Sequence, residues 1–191
     1  QSSNEFSQGH WALCLLGGNC VKKRLVITAV FLLALILIRL PVLRDRGLLV
    51  AAEKGYLPLA RMCLSIGASP DLRDGRPYVG EFLPTPMFLA VAHDHEAMVG
   101  LLLSRGADAN ARNRDSETPL HFAASTGNAS IAKLLLDHRA RIDARERRYG
   151  NTPLHVAARA AKQEVMALLL TRGAPIDVRN ALGATPLHLA A

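Results

Sequence analysis

A four-residue motif returns along this chain at a nearly fixed interval. Thr118-Pro119-Leu120-His121 recurs as Thr152-Pro153-Leu154-His155 and as Thr185-Pro186-Leu187-His188, and a degenerate copy, Thr85-Pro86-Met87-Phe88, precedes them. Successive threonines stand 33, 34 and 33 residues apart. A chain with such a period folds as a row of like units. Each unit is too small to bury its own apolar face, so the core is completed by stacking neighbours.

The motif reads as a helix start. Thr118 suits the N-cap, where its hydroxyl accepts from an N–H of the first turn. Pro119 then occupies the first helical position, where a missing N–H costs nothing. Leu120 faces the core, and His121 lies where a capping-box side chain reaches back to the cap. Reading His121, His155 and His188 as metal ligands fails on distance. Stacked units place them about 10 Å apart, whereas Zn–N bonds are about 2.0–2.1 Å. A second helix follows in each unit, with apolar residues at i, i+3 and i+4: Met98, Leu101 and Leu102; Ile131, Leu134 and Leu135; Val165, Leu168 and Leu169. Gly127, with Gly55 as its equivalent, stops the first helix. Gly106-Ala107 and Gly173-Ala174 stop the second, glycine taking the left-handed cap.

On these residues, T-P-L-H-x-A at this period above all, residues 46–191 resemble the ankyrin repeat family. The resemblance implies an all-α ankyrin-repeat solenoid, built of helix-turn-helix units with hairpin loops, four units and the start of a fifth. The departures are specific. Arg139 stands where Gly106 and Gly173 stand, and Ala161 and Asp94 replace the Gly127-type stop. Arg46-Gly47-Leu48-Leu49 occupies the place of the motif in the first unit, as suits a terminal unit. The interval from Arg46 to Thr85 is 39, so about six residues are inserted near residues 74–84.

The resemblance also implies a function: protein–protein binding through a concave face made by hairpin tips and the exposed side of the first helices. Alignment of the units puts Arg114, Glu117, Ser125, Thr126, Arg148, Tyr149, Asn151, Arg159 and Leu182 on that face, with Glu81, Phe82 and His93 from the second unit. Arg148 and Tyr149 are of the types that most often dominate binding energy, and their hairpin is longer than the others by a residue. The inserted loop carries Tyr78, Val79, Phe82 and Leu83. It is either a binding loop on a rigid scaffold or a cover for the first unit. The expected partner-binding residues are therefore Tyr78, Phe82, His93, Arg114, Glu117, Thr126, Arg148, Tyr149, Asn151, Arg159 and Leu182.

No phosphate-binding glycine loop or nucleophile elbow occurs, so no enzyme activity, cofactor, metal or small-molecule ligand is expected. His93-Asp94-His95-Glu96 is the one ligand-like cluster. On a helix its two histidines would point about 200° apart at 100° per residue, too divergent to share a metal. Arg73, Arg112, Arg145 and Arg179 recur at one hairpin position. They read either as a stripe for acidic partners or as solvated, inert hairpin residues, and nucleic acid is not an expected partner. Cys63 aligns with Leu102 and Leu135 as a small core residue, while Cys14 and Cys20 have no zinc-site spacing. Asn128-Ala129-Ser130 matches a glycosylation sequon at a turn that every unit has, and is read as coincidence.

The basic balance is shared between two regions. Residues 1–46 carry six Lys+Arg and two Asp+Glu, against 23 and 16 in the whole chain, which leaves the repeats mildly basic. Residues 25–38 form a charge-free apolar run, preceded by Lys22-Lys23-Arg24 and followed by Arg39. Extended to residue 43, it approaches the roughly 20 residues of a membrane span. The expected organisation is an unassigned segment 1–20, a membrane anchor or signal segment 21–43, and repeats 46–191. One hydrophobic membrane-anchor helix then tethers the solenoid as a single-pass protein through residues 25–43, the side facing the repeats being undetermined because the flanking charges nearly cancel. Two alternatives stay open. One is a secreted or periplasmic protein after cleavage of the same segment. The other is a regulatory module of a larger enzyme or channel extending beyond residue 191. The chain opens on Gln1, so Val21 is entertained as a native start, and it ends inside the first helix of a fifth unit, which leaves Leu187 and Leu189 short of cover.

Overall fold

The computed structural model describes residues 41–72 and 85–190. Segment 1–20, the apolar run 25–38 and the insertion with Tyr78 and Phe82 lie outside the described residues. Nine helices occur among the described residues: α1 (Pro41–Lys54), α2 (Leu57–Ser65), α3 (Pro86–Ala92), α4 (Glu96–Ser104), α5 (Pro119–Thr126), α6 (Ala129–Asp137), α7 (Pro153–Arg159), α8 (Gln163–Thr171) and α9 (Pro186–Ala190). No strand occurs among them. The chain divides at residue 41, and the unit from Val42 to Ala191 holds the stack.

Within that unit the helices form two rows. First helices α3, α5, α7 and α9 pack one on the next, and so do second helices α2, α4, α6 and α8. The core between the rows holds the residues that periodicity assigned to it. Leu120, Ile131, Leu135, Val165 and Leu169 are fully buried, Leu154 nearly so, and Leu134 and Leu168 pack against them half-buried. Cys63 is buried in the same cluster.

Each T-P-L-H motif builds the predicted helix start. Thr118 and Thr152 are extended N-caps followed by proline, and each closes a capping box with the histidine three residues on. The Thr118 N–H donates to His121 Nδ1 at 3.1 Å, and the Thr152 N–H donates to His155 Nδ1 at 3.3 Å. Nδ1 is thus an acceptor, which puts the ring proton on Nε2. That nitrogen donates to the next hairpin: His121 Nε2 to the Asn151 carbonyl and His155 Nε2 to the Ala184 carbonyl, each at 3.1 Å. The histidines therefore cap their own helix and tie it to the following unit. The second unit replaces this polar link with packing, where the buried Phe88 ring meets Phe122 edge-on at 5.2 Å.

The first unit differs at its start. Its helix α1, Pro41–Lys54, carries Leu48, Ala51 and Ala52 into the core without a T-P-L-H cap. Among the described residues, no helix is long and apolar enough to cross a membrane.

Every turn departs from helix through a left-handed residue. Second helices close by a six-to-one bond from a buried alanine N–H, as from Ala107 to the Leu102 carbonyl and from Ala140 to the Leu135 carbonyl. The residue before that alanine has φ +84 at Gly106 and +85 at Gly173, but it is Arg139 at +65 in the third unit. A side chain there is strained by about 1 kcal/mol. Arg139→Gly should raise the unfolding free energy by up to about 1 kcal/mol, read from the urea midpoint. A lowered midpoint would mean that the arginine side chain contributes more than its strain costs.

The turns between first and second helices interlock from unit to unit. A Cβ placed on Gly55 would lie 2.9 Å from the His95 ring, and one on Gly127 would lie 2.6 Å from Lys162 Cδ. In both cases the capping residue of the next unit's second helix lies over the glycine. Where Asp94 replaces glycine, at φ +56, the next unit supplies the shorter Asn128, whose amide donates to the Asp94 carboxylate at 3.3 Å. Asn128 also caps α6 through the Ile131 N–H, so both ends of its amide have a structural role.

Candidate functional site

In each hairpin among the described residues, one buried polar side chain accepts backbone N–H groups of the loop. Asn113 Oδ1 accepts the Glu117 N–H at 2.8 Å, and Asn180 Oδ1 accepts the Leu182 and Ala184 N–H groups at 3.0 Å. In the hairpin that is longer by a residue, the equivalent residue is Glu146. Its carboxylate takes the N–H groups of Arg148, Tyr149 and Asn151. The extra methylene of glutamate spans the extra residue of the loop. Sequence reasoning missed Glu146, although an acidic residue at an Asn position in the hairpin lengthened by one residue was a readable signal.

The periodic arginines have a structural role as well. Arg112 Nη1 donates to the Ser116 and Arg145 carbonyls, and Arg145 Nη1 donates to the Gly150 and Arg179 carbonyls. Arg179 Nη1 closes on Gly183. Each guanidinium thus ties its own hairpin, and the first two also tie it to the next. Arg112, Arg145 and Arg179 are exposed but each commits Nη1 to hairpin carbonyls, while Arg73 lies outside the described residues. Backbone bonds complete the linkage, from the Arg147 N–H to the Asp115 carbonyl and from the Ala181 N–H to the Tyr149 carbonyl, both at 2.7 Å.

Glu117, Arg148, Tyr149, Asn151 and Arg159 come together. With Asp115, Glu146 and Val156 they line a pocket of about 160 Å³ between two adjacent hairpins and α7. Glu146, Asn151 and Val156 are buried, while Arg148 and Arg159 are exposed. The Arg148 guanidinium lies over the Tyr149 ring, 5.2 Å from its centroid, a cation–π contact that holds both residues at the hairpin tip. Asn151 differs from its expected role as a presented side chain. It is 4 % exposed, and its Oδ1 accepts from the Asn180 amide at 2.9 Å, so its polar end serves the hairpins.

The other expected residues lie apart from the pocket. Arg114 is exposed on the hairpin before it, and Thr126 ends α5 with its hydroxyl turned onto the Ala123 carbonyl. Leu182 stands 74 % exposed at the next hairpin tip. His93 caps the C-terminus of α3. It and His95 flank the left-handed Asp94 instead of lying on one helix, so the divergence expected of them does not hold. Their rings stack, 6.0 Å apart, and His95 Nε2 bonds the Glu53 carbonyl at 3.0 Å. Among the described residues no group of three or more His, Cys, Asp or Glu is placed to hold a metal ion.

Burial sets the protonation of the histidine links. It lowers the His121 pKa to about 4, opposed mainly by the bond to the Asn151 carbonyl, and it lowers that of His155 as well. Both rings are neutral at pH 7, as their acceptor and donor roles require.

Known proteins carry the same architecture. The family model described as ankyrin repeats in three copies matches residues 48–146, and a second, of many copies, matches residues 142–190. An ankyrin repeat protein of fowlpox virus (strain NVSL) is 36% identical over 91 residues, 47% of this chain and 20% of that protein. The transient receptor potential cation channel subfamily A member 1 of Homo sapiens is 44% identical over 55 residues, 29% of this chain and 5% of that one. An E3 ubiquitin-protein ligase of Arabidopsis thaliana is 35% identical over 95 residues, 50% of this chain and 18% of the ligase. The chain thus spans a fifth or less of these relatives, and what it shares with a viral protein, a channel and a ligase is the repeat stack itself. The capping boxes, the two helix rows and the linked hairpins, together with family models that run from residue 48 to residue 190, make this chain a member of the ankyrin repeat family, whose repeats are protein–protein interaction modules.

Proposed function

We propose that the chain binds a protein partner on the face formed by its hairpin tips and first helices, centred on Arg148 and Tyr149, and that it acts by binding and not by catalysis. The observation that carries this reading is the gathering of Arg148, Tyr149 and Arg159 around one pocket of that face. A tyrosine and two arginines at the edge of a pocket are the residue types that most often anchor an interface. The buried carboxylate there, Glu146, is occupied by three backbone N–H groups, which supports a structural role over a catalytic one. The test is affinity capture with the full chain, followed by titration of the captured partner. Arg148→Ala with Tyr149→Ala should weaken binding about thirtyfold, or about 2 kcal/mol. Because the pair lies outside the core, stability should change by no more than about 1 kcal/mol. Undiminished affinity in the double variant would remove this hairpin from the site and move attention to the loop with Tyr78 and Phe82.

Membrane attachment through residues 25–43 belongs to the same proposal. The charge-free run 25–38, with its basic flanks, supports it. An anchored protein stays with the membrane pellet after an alkaline wash, and recovery in the supernatant would favour the secreted or periplasmic alternative.

A further inference from the structure

We infer that the pocket beside Tyr149 recognises an acidic segment of a protein partner, one Asp or Glu side chain entering between Arg148 and Arg159 while its neighbours lie on the tyrosine. The inference rests on the binding face proposed above and adds the chemistry of its occupant. Charge accounting over the pocket carries it. Three carboxylates line the pocket: Glu146 accepts three backbone N–H groups, Glu117 accepts the Asn113 amide at 2.8 Å, and Asp115 stands beside them, against Arg148 and Arg159 in the lining and Arg114 and Arg147 on the same two hairpins. The ion pairs among the described residues are Arg44–Asp45, Lys54–Glu53, Arg141–Asp143 and Arg172–Asp137. None involves Arg148 or Arg159, nor Arg114 or Arg147 on the two adjoining hairpins. Both lining arginines are exposed above a floor of buried Asn151 and Val156. A carboxylate arriving there meets guanidinium groups with donors to spare. Arginine suits it through its planar, two-donor edge.

Nucleic acid fits less well. A phosphate backbone would run its charge past Asp115 and Glu117, which line the same pocket. The arginines that recur at regular spacing, Arg112, Arg145 and Arg179, donate to hairpin carbonyls and do not form a free track for phosphates. A discrete acidic side chain brings a single charge past Asp115 and Glu117, where a phosphate backbone brings one per nucleotide, and it needs no periodic track.

The test uses the full chain, immobilised, and a display library of random dodecapeptides. Selected peptides should be enriched in Asp and Glu beside an apolar or aromatic residue. A selected peptide should lose about tenfold in affinity when its acidic residue becomes Gln, and a similar factor toward the Arg148→Gln/Arg159→Gln variant. That variant should melt within a few degrees of the parent, since both side chains are exposed. Selection of Tyr149-dependent peptides without acidic residues would overturn the inference while leaving the binding face in place. Undiminished binding by the Arg148→Gln/Arg159→Gln variant would overturn it too. So would tighter binding, at equal salt, of a fluorescent 20-nucleotide single-stranded DNA than of any selected peptide.

Discussion

Leu135→Ala is expected to lower the unfolding free energy by about 2–5 kcal/mol. Leu135 has no exposed surface, and it lies on α6, which packs between α4 and α8 in the row of second helices. The substitution leaves a cavity that three units share. The loss is amplified by the architecture, because each unit is stabilised mainly by its two neighbours, and a weakened middle unit uncouples the two ends. Two controls give the result its meaning. Leu134→Ala, at a half-buried position on the same helix, should cost clearly less. Leu182→Ala, at a 74 % exposed hairpin tip, should stay within about 0.5 kcal/mol. Urea denaturation followed by circular dichroism measures all three. A Leu135→Ala loss below about 1 kcal/mol would contradict the register of the core.

The helix starts and the core face were legible in the sequence because they follow local rules. Thr-Pro announces a cap and a first turn, and apolar spacing at i and i+4 announces the buried stripe. Arg139 and Ala161 were also legible, since alignment of like units puts them where glycines stand, and both take positive φ. What escaped was set by contacts between units. Nothing in a single unit says that Arg112 reaches the Arg145 carbonyl or that Lys162 lies over Gly127. Glu146 shows the boundary between the two cases. Sequence reasoning passed over it, and the lengthened hairpin turns it inward as the acceptor for three N–H groups. Of the expected binding residues, Glu117, Arg148, Tyr149 and Arg159 line one pocket between two hairpins and α7. Asn151 lines the same pocket but has its polar end bonded to Asn180.

Acid should weaken the stack in a window set by the buried histidines. His121 has its pKa lowered from 6.5 to about 4, chiefly by burial, and that of His155 is lowered in the same direction. A histidine with a depressed folded-state pKa stabilises the fold fully above the unfolded value. As pH falls below 6.5, the unfolded chain takes up a proton that the folded chain refuses, so stability falls until the pH reaches the folded value. A shift of that size corresponds to about 3 kcal/mol for His121 alone, lost between pH 6.5 and about 4, with His155 adding to the slope. The structural reason is that a protonated His121 presents an N–H where it now accepts the Thr118 N–H, so two donors would face each other in a buried site. The measurement is the unfolding free energy from urea titrations at half-unit steps from pH 7.5 to 4.5. Carboxylates that titrate near the lower end contribute as well, so the decisive comparison is with His121→Gln, which keeps a capping-box acceptor at that position. The variant should be less stable than the parent at pH 7.5 and should show a slope shallower by about one proton. The gap between the two should close toward pH 4. Parallel curves would show that His121 is not the group whose protonation unfolds the stack.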